Sequence, residues 1–242
     1  MARAVLRSLR IYYGDSKRAQ AMDYFYRRFI RPGDLVFDIG AHVGDRIAAF
    51  RRLGARIVAA EPQPTMFRVL KLMYGRAGDV VLVPAAVGRA PGTIKLMINV
   101  DNPTISTAST EFVRAAHGAR GWEEEAWTKS ISVPLTTLDA LIAEHGTPSF
   151  IKIDVEGFEA EVLAGLTRPV AALSFEFTTI QRNVAQDCIA RCRALGFSRF
   201  NAALGESQTF VHGEWIGDEA LTRWLAALPH EANSGDIYAT RA

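Results

Sequence analysis

The chain has 242 residues, of which 49% are hydrophobic and 22% are charged, and its formal net charge is +2. This composition is typical of a soluble globular protein, and the length allows one α/β domain with a full core or at most a domain and a small cap. No apolar stretch reaches the roughly 18 residues of a membrane span and no signal peptide is evident, so we expect a cytoplasmic protein.

The first 31 residues carry the positive charge of the chain. They hold eight basic residues against two acidic ones, a net charge of +6, which leaves −4 for the rest. We expect two amphipathic helices here, at about 2–9 and 17–29, in a basic extension over residues 1–31. Such an extension could touch a membrane surface or an anionic partner, or it could simply lay its apolar residues on the domain.

A buried strand at 35–37 is followed by two glycines, Gly40 and Gly44, and then by a helical pattern that ends at Gly54. Strand, glycine turn and helix together predict a nucleoside site in which backbone N–H groups and a helix dipole face the ligand. His42 replaces the middle glycine of the GxGxxG fingerprint, which disfavours a dinucleotide such as NAD.

A second strand at 56–60 ends in Glu61 and Pro62, about twenty residues after the glycine turn. A carboxylate at this position can accept hydrogen bonds from both ribose hydroxyls of a nucleoside. The two signals together predict S-adenosylmethionine, which carries a nucleoside and no diphosphate. Ala85 and Ala86 follow the third strand, where small apolar residues would suit an adenine or form a simple packed turn.

Strands and helices continue to alternate along the rest of the chain. We expect strands at 80–84, 92–99, 130–134, 148–154 and 171–177, a closing strand pair at 197–200 and 208–212, and helices at 63–74, 137–145, 158–166, 184–195 and 218–228. Residues 101–129 are predicted to form a long irregular loop that carries substrate specificity. Trp122 and Trp127 in this loop could stack on a sugar or anchor the loop to the body.

Four motifs in this order resemble the FkbM family of S-adenosylmethionine-dependent methyltransferases. They are Asp38-Ile-Gly-Ala-His-Val-Gly44, Glu61-Pro62, Ala85-Ala-Val-Gly88 and, most specifically, Phe150-Ile-Lys-Ile-Asp154-Val-Glu-Gly-Phe-Glu159. The resemblance covers about residues 33–178. One departure is His42, which stands where Asn is expected.

The alternation of elements predicts a doubly wound sheet that is parallel except near its last strand. Together with the resemblance, it predicts a Rossmann-like class I methyltransferase fold over residues 32–242, with a mostly parallel seven-stranded sheet, an antiparallel last strand and the N-terminal helical extension. The resemblance and the motif positions predict the following residues for cofactor binding: Asp38, Gly40, Ala41, His42, Gly44, Glu61, Pro62, Ala85, Ala86 and Asp154.

Methyl transfer to a hydroxyl requires alignment and, for a weakly acidic hydroxyl, a general base. Asp154, Glu156 and Glu176 are predicted at one sheet edge, where mutual repulsion would raise at least one pKa, and His42 could stand over the same cleft. We predict Asp154 or Glu156 as the base, then His42 and then Glu176, although an acid at a strand end such as Asp154 can instead cap the next helix. The same acids could bind Mg²⁺, but we predict no metal.

The resemblance implies a small-molecule or glycan acceptor that is methylated on a hydroxyl: a sugar, a glycolipid, a lipo-oligosaccharide or a polyketide-like product. Two alternatives remain, an RNA methyltransferase and a cofactor-binding module without catalysis. We expect no nucleic-acid partner, because the negative balance of the body leaves no basic groove. The protein could form oligomers, and Cys188 and Cys192 are expected to be buried thiols.

Overall fold

The computed structural model describes residues 2–241, with the side chains of residues 5–241. Met1 and Ala242, the outermost residues of the two predicted segments, lie outside the described residues. The helices of the described chain are α1 (Ala2–Tyr13), α2 (Ser16–Tyr26), α3 (Asp45–Arg52), α4 (Pro64–Tyr74), α5 (Thr110–Ala116), α6 (Leu138–His145), α7 (Glu159–Ala164), α8 (Arg182–Ala194) and α9 (Asp218–Ala227). Its strands are β1 (Leu35–Ile39), β2 (Arg56–Ala60), β3 (Val80–Val83), β4 (Ala86–Val87), β5 (Gly92–Asn99), β6 (Trp127–Thr136), β7 (Phe150–Ile153), β8 (Ala172–Thr178), β9 (Arg199–Leu204) and β10 (Ser234–Thr240).

Seven strands form one sheet in the order β3-β2-β1-β7-β8-β10-β9. Neighbouring strands pair in parallel except at β10, which runs antiparallel to both β8 and β9. Every residue of the inner strand β1 is buried, because hydrophobic clusters cover both faces of the sheet. The predicted class I methyltransferase fold, with its antiparallel last strand, is confirmed.

The prediction of a closing strand pair at 197–200 and 208–212 is wrong, because the pair consists of β9 and β10. Residues 208–212 lie outside any strand, in the connection that leads to α9. The physical reason is burial on both faces of β10, where Ile237 joins one core cluster and Tyr238 joins the other. Val211, in contrast, remains 41% exposed.

A second sheet of three strands has the order β4-β6-β5. The segment between β5 and β6 contains the short helix Pro103–Ile105 and α5, so the prediction of a continuous irregular loop is wrong. Phe112 and Trp122 are buried there, with ring centroids 5.4 Å apart, and the Trp127 indole N–H donates to the Ile105 carbonyl at 2.7 Å. Both tryptophans therefore anchor this segment.

The N-terminal helices pack on the domain. α2 buries Met22, Phe25 and Tyr26 in the core cluster that also holds residues of β1 and β2. α1 lays only part of its apolar surface down, since Leu6 is 65% and Ile11 is 53% exposed. None of the described helices is both long and apolar enough to cross a membrane. The division of the chain at residue 31 stays a prediction.

Candidate active site

The backbone N–H groups of the turn after β1 are bonded to the end of β2. The backbone N–H groups of Gly40 and Ala41 donate to the Ala60 carbonyl at 2.9 and 3.1 Å. The N–H of His42 donates to Oε2 of Glu61 at 2.9 Å. The expectation that these N–H groups face the ligand is therefore wrong. The turn fixes the end of β2, and it forms no phosphate cradle of the kind that a dinucleotide needs.

Two glycines of this turn have different environments. Gly40 has φ +87°, and a Cβ on it would lie 1.8 Å from the carbonyl oxygen of Asp154, so β1 and β7 meet here without space for a side chain. Gly44 has φ +82° and faces α4, where a Cβ would lie 2.7 Å from the Tyr74 ring. Gly40 thus stands at the ligand edge of the sheet, whereas Gly44 serves the packing of α3 on α4.

A cavity, here called the main cavity, opens at the carboxyl ends of β1, β2 and β7. Seven of the ten residues predicted to bind the cofactor line it: Gly40, His42, Glu61, Pro62, Ala85, Ala86 and Asp154. Its lining also includes residues that the sequence analysis did not single out: Gln63, Met66, Leu96, Ser106 and Phe158. Gln63 and Met66 could have been found, because they begin the helix directly after Glu61.

Glu61 is the polar centre of the main cavity. Its two carboxylate oxygens accept the backbone N–H groups of His42 and Gln63, the latter at 2.7 Å. Burial raises the pKa of Glu61 to about 7, although both N–H groups act to lower it. Each oxygen retains a second lone pair for an incoming hydroxyl. The site can therefore hold a diol, such as that of a ribose, beside an apolar wall that suits a flat ring.

A second cavity, here called the carboxylate chamber, adjoins the main cavity. The two share Gly40, His42, Thr104, Asp154 and Glu156. The other walls of the chamber are Tyr12, Asp38, Ala41, Asp45, Arg46 and Glu206. Asp38 and Ala41, which were predicted to bind the cofactor, thus lie in the chamber and not in the main cavity, and Gly44 lines neither.

Lys152 explains why the pKa of Asp154 is low. Its ammonium is fully buried and lies 3.0 Å from Oδ2 of Asp154 and 2.8 Å from Oδ1 of Asp236. Burial alone would raise the pKa of Asp154, but Lys152 holds it below the usual range. The sequence analysis missed Lys152, whose signal was a lone lysine inside an otherwise apolar strand.

Asp154 does not cap the helix that follows it. Phe158 is the N-cap residue of α7, and no side chain of the described residues caps this helix. Glu159 stabilises the turn before it, since its Oε1 accepts the backbone N–H groups of Val155 at 3.1 Å and Gly157 at 3.2 Å. The helix-cap interpretation of Asp154 is therefore wrong. The carboxylate of Asp154 pairs with Lys152 and lines the carboxylate chamber.

The carboxylate of Glu156 is buried and has no protein partner among the described residues. This residue has φ +55° and is 8% exposed, and its carboxylate has neither an ion pair nor a hydrogen bond among the described residues. Burial, and then the charges of Asp154 and Glu159, raise the pKa of Glu156 well above its usual range. Oxygens of Asp154, Glu156 and Glu176 lie within 4.8 Å of one another. The expected mutual repulsion is thus present in the structure.

The side chains of His42 and Asp38 each have a buried polar atom that could still form a hydrogen bond. His42 has φ +48°, its Nε2 has no hydrogen-bond partner in the described part of the chain, and its ring meets that of Tyr12 edge-on at 5.6 Å. Burial lowers the pKa of His42, so the imidazole is neutral at pH 7. Burial raises the pKa of Asp38 to about 7, and its Oδ2 also lacks a partner.

The sequence matches a known protein family over most of its length. The family profile for the "Methyltransferase FkbM domain" matches residues 38–211. The chain is 28% identical over 154 residues to the hexuronic acid methyltransferase AglP of Haloferax volcanii. This alignment covers 62% of this chain and 57% of that protein. The chain is 30% identical over 160 residues to the 31-O-demethyl-FK506 methyltransferase FkbM of Streptomyces tacrolimicus, in an alignment that covers 57% of this chain and 61% of that protein.

The chain spans about three fifths of the length of these curated relatives. Among solved structures, it is similar to the magnesium protoporphyrin IX methyltransferase ChlM of Synechocystis PCC 6803. That match has a TM-score of 0.47 and 10% identity, and it covers 98% of this chain and 84% of the other.

Proposed function

Since this chain belongs to the FkbM family of methyltransferases, whose methyl donor is S-adenosylmethionine, we propose that it methylates a hydroxyl oxygen of a sugar, glycolipid or polyketide-like acceptor. The observation that carries this proposal is the junction of the main cavity with the carboxylate chamber. Glu61, which would bind the nucleoside, lines the main cavity, and the candidate bases Asp154 and Glu156 line both cavities.

The main cavity fits the cofactor of the family. Glu61 would accept hydrogen bonds from the ribose hydroxyls, and Ala85, Ala86 and Met66 would lie along the adenine. Oε1 of Gln63 is buried without a partner and can accept a further hydrogen bond. When bound, S-adenosylmethionine supplies a methyl group on a sulfonium, and the residues of the chain hold it and orient the acceptor.

Glu156 is the best candidate for the general base. Its carboxylate is unengaged and lines both cavities, and burial beside Asp154 and Glu159 raises its pKa, which makes the ionised form a stronger base. Asp154 stays ionised beside Lys152 and would orient the acceptor hydroxyl by accepting its hydrogen bond. As the new C–O bond forms and the C–S bond breaks, the hydroxyl proton would pass to Glu156.

The names of the relatives agree with an oxygen acceptor. One is named for a hexuronic acid, which carries a carboxyl group as well as hydroxyls, and the other for O-31 of FK506. An alcohol needs a base, which the chamber can supply. This chemistry separates the proposal from a cofactor-binding module without catalysis, which would have no use for an unengaged carboxylate at the junction.

Two measurements test the proposal. Calorimetry should show binding of S-adenosylhomocysteine to the wild type, weaker binding to Glu61→Ala, and no binding of NAD. Tritiated S-adenosylmethionine should then label hydroxylated glycans or macrolactones, and Glu156→Gln should lower kcat about 10²- to 10⁴-fold while S-adenosylhomocysteine still binds. Unchanged kcat in Glu156→Gln would remove Glu156 as the base, and wild type that does not bind S-adenosylhomocysteine would overturn the proposal.

A further inference from the structure

A third cavity, here called the outer groove, runs between α1 and the short helix Pro103–Ile105. Arg7, Ser8, Ile11 and Tyr12 form one wall, and residues 101–105 form the other. Tyr12 and Thr104 also line the carboxylate chamber. The outer groove, the chamber and the main cavity therefore follow one another, each sharing residues with the next.

The outer groove carries unpaired polar groups of both signs. Neither the guanidinium of Arg7 nor the carboxylate of Asp101 has an ion-pair partner among the described residues, although both line the groove. The neighbouring Thr104 adds a hydroxyl, and Asn102 adds its amide oxygen, since its Nδ2 already donates to Oε1 of Glu125 at 2.9 Å. The groove thus offers donors and acceptors within a short length of chain.

Tyr12 stands where the groove meets the chamber. Its ring packs edge-on against His42 on the inner side, and the guanidinium of Arg18 lies 5.0 Å from the ring centroid. The hydroxyl of the next residue, Tyr13, donates to the Val43 carbonyl at 3.0 Å, which fixes the end of α1 to the turn after β1. α1 therefore holds Tyr12 over the site from a position outside the part of the chain that matches the family profile.

We propose that the outer groove is an acceptor subsite that binds the part of a polyhydroxylated, glycan-like acceptor beyond the hydroxyl to be methylated. Vicinal hydroxyls both donate and accept hydrogen bonds, so they match a groove that presents a guanidinium, a carboxylate and an amide together. The tyrosine ring adds an apolar surface for the face of a sugar ring. A largely apolar macrolactone would leave Arg7 and Asp101 without partners.

The subsite rests on the proposed function, because the groove leads to the predicted base. With this subsite, α1 becomes part of the acceptor site. Recognition of the acceptor then depends on residues that lie outside the family match. Residues 101–105 contribute the opposite wall, which agrees with the expected role of the segment between β5 and β6 in specificity.

A blocking experiment tests the position of the subsite. Wild type loaded with S-adenosylhomocysteine is first applied to a printed array of neutral and uronic-acid glycans, and the best glycan is carried into calorimetry. Ile11→Cys, labelled with a bulky maleimide dye, should then bind this glycan at least tenfold more weakly with unchanged affinity for S-adenosylhomocysteine. The native thiols Cys188 and Cys192 are buried as expected and should not react.

The matched control is Tyr24→Cys with the same label, because Tyr24 is 69% exposed on α2 and lines none of the three cavities. It should bind both ligands as the wild type does. Arg7→Gln and Asp101→Asn, without label, should each weaken glycan binding about tenfold, since hydrogen bonds to charged groups are the strong ones.

The outcomes separate the subsite from the function. Equal glycan affinity of the wild type and labelled Ile11→Cys would overturn the subsite, and a wild type that binds a macrolactone such as erythronolide B but no glycan on the array would overturn its ligand class. If S-adenosylhomocysteine does not bind, the proposed function fails at the first step. If the glycan binds in the groove but receives no methyl group, the function fails while the subsite stands.

Discussion

The ammonium of Lys152 lies 3.0 Å from Oδ2 of Asp154, two residues further along the chain. Residues two apart on a strand point to the same face, so β7 itself brings the two charges together. Asp236 approaches the same ammonium from β10, which is not a neighbour of β7 in the sheet. One buried cation thus compensates two carboxylates at the floor of the proposed site.

Replacing this cation should change both stability and pH dependence. Lys152→Met would leave Asp154 and Asp236 buried without a counter-charge, a change that costs about 3–5 kcal/mol in comparable cases. The pKa values of Asp154 and Glu156 should rise, because Lys152 lowers both. We therefore expect the acidic limb of the kcat/KM profile to move to higher pH.

The control for this prediction is Asp236→Asn, which retains the ammonium beside Asp154. It should leave the acidic limb at the wild-type pH or shift it slightly lower. If Lys152→Met folds and has an unchanged profile, Lys152 has no influence on the base. If it does not fold, the comparison of Asp236→Asn with wild type still tests the electrostatic link.

Glu61→Gln should weaken S-adenosylhomocysteine binding. Both carboxylate oxygens accept backbone N–H groups, so the amide NH₂ of a glutamine would have to face one of these donors. That unsatisfied donor lowers the stability, and the lost charge-assisted hydrogen bond to the ribose, worth about 1.5–3 kcal/mol, lowers the affinity by roughly 10- to 150-fold. Calorimetry checks this against Glu124→Gln, an exposed control that should behave as the wild type.

Gly40→Ala should abolish cofactor binding and lower the stability. The added Cβ would meet the backbone of Asp154, which cannot move without displacing the end of β7, and φ +87° is unfavourable for alanine. We expect a loss of more than about 2 kcal/mol in the free energy of unfolding, measured by urea titration. Gly78→Ala is the control, since a Cβ there meets nothing within 4 Å and φ lies outside the left-handed region.

The free energy of unfolding should fall as the pH rises from about 5 to 8. The pKa values of Asp38, Glu61 and Glu159 are raised to about 7 in the folded protein, chiefly by burial. A carboxyl with a raised pKa binds its proton more tightly in the folded protein than in the unfolded chain. Its contribution to the free energy of unfolding is therefore complete at a pH below its pKa in the unfolded chain, and it is lost as the pH rises through its pKa in the folded protein. The lowered pKa of His42 makes the free energy of unfolding rise with pH, but this is one group against three carboxyls.

We expect a net loss of at least about 1 kcal/mol, because one unit of pKa shift corresponds to about 1.4 kcal/mol. Urea titrations at pH 5 and pH 8 measure it directly. A flat or rising free energy over this range would mean that these carboxyls are ionised and compensated in the folded protein.

Activity should survive a chelator. Asp154, Glu156 and Glu176 are close enough together to share a cation, and their oxygens are the ligands that Mg²⁺ prefers. Lys152 already compensates Asp154, however, and burial and the neighbouring acids raise the pKa values of Glu156 and Glu176, which disfavours the second charge that a cation would need. Equal kcat with EDTA and with added Mg²⁺ is the expected result, and restoration of a lost activity by Mg²⁺ would contradict it.

Local patterns predicted most of the fold. The apolar run of β1, the glycine turn and the alternation of elements were sufficient for the parallel part of the sheet, because strand and helix periodicities are properties of adjacent residues. Local patterns did not predict the position of the antiparallel strand β10. β10 lies between β8 and β9, and only this placement shows why its residues must be buried on both faces.

The sequence by itself determined that Gly40, Glu61 and Asp154 would meet, because the carboxyl ends of neighbouring parallel strands lie at one edge of a sheet. Tertiary structure alone decided the use and the electrostatic state of the groups at that edge. The turn N–H groups bond to β2, Lys152 finds a second partner on β10, and α1 brings Tyr12 over the chamber. These contacts join residues distant in the chain, and burial and charge pairing, which set a pKa, exist only once the chain has folded.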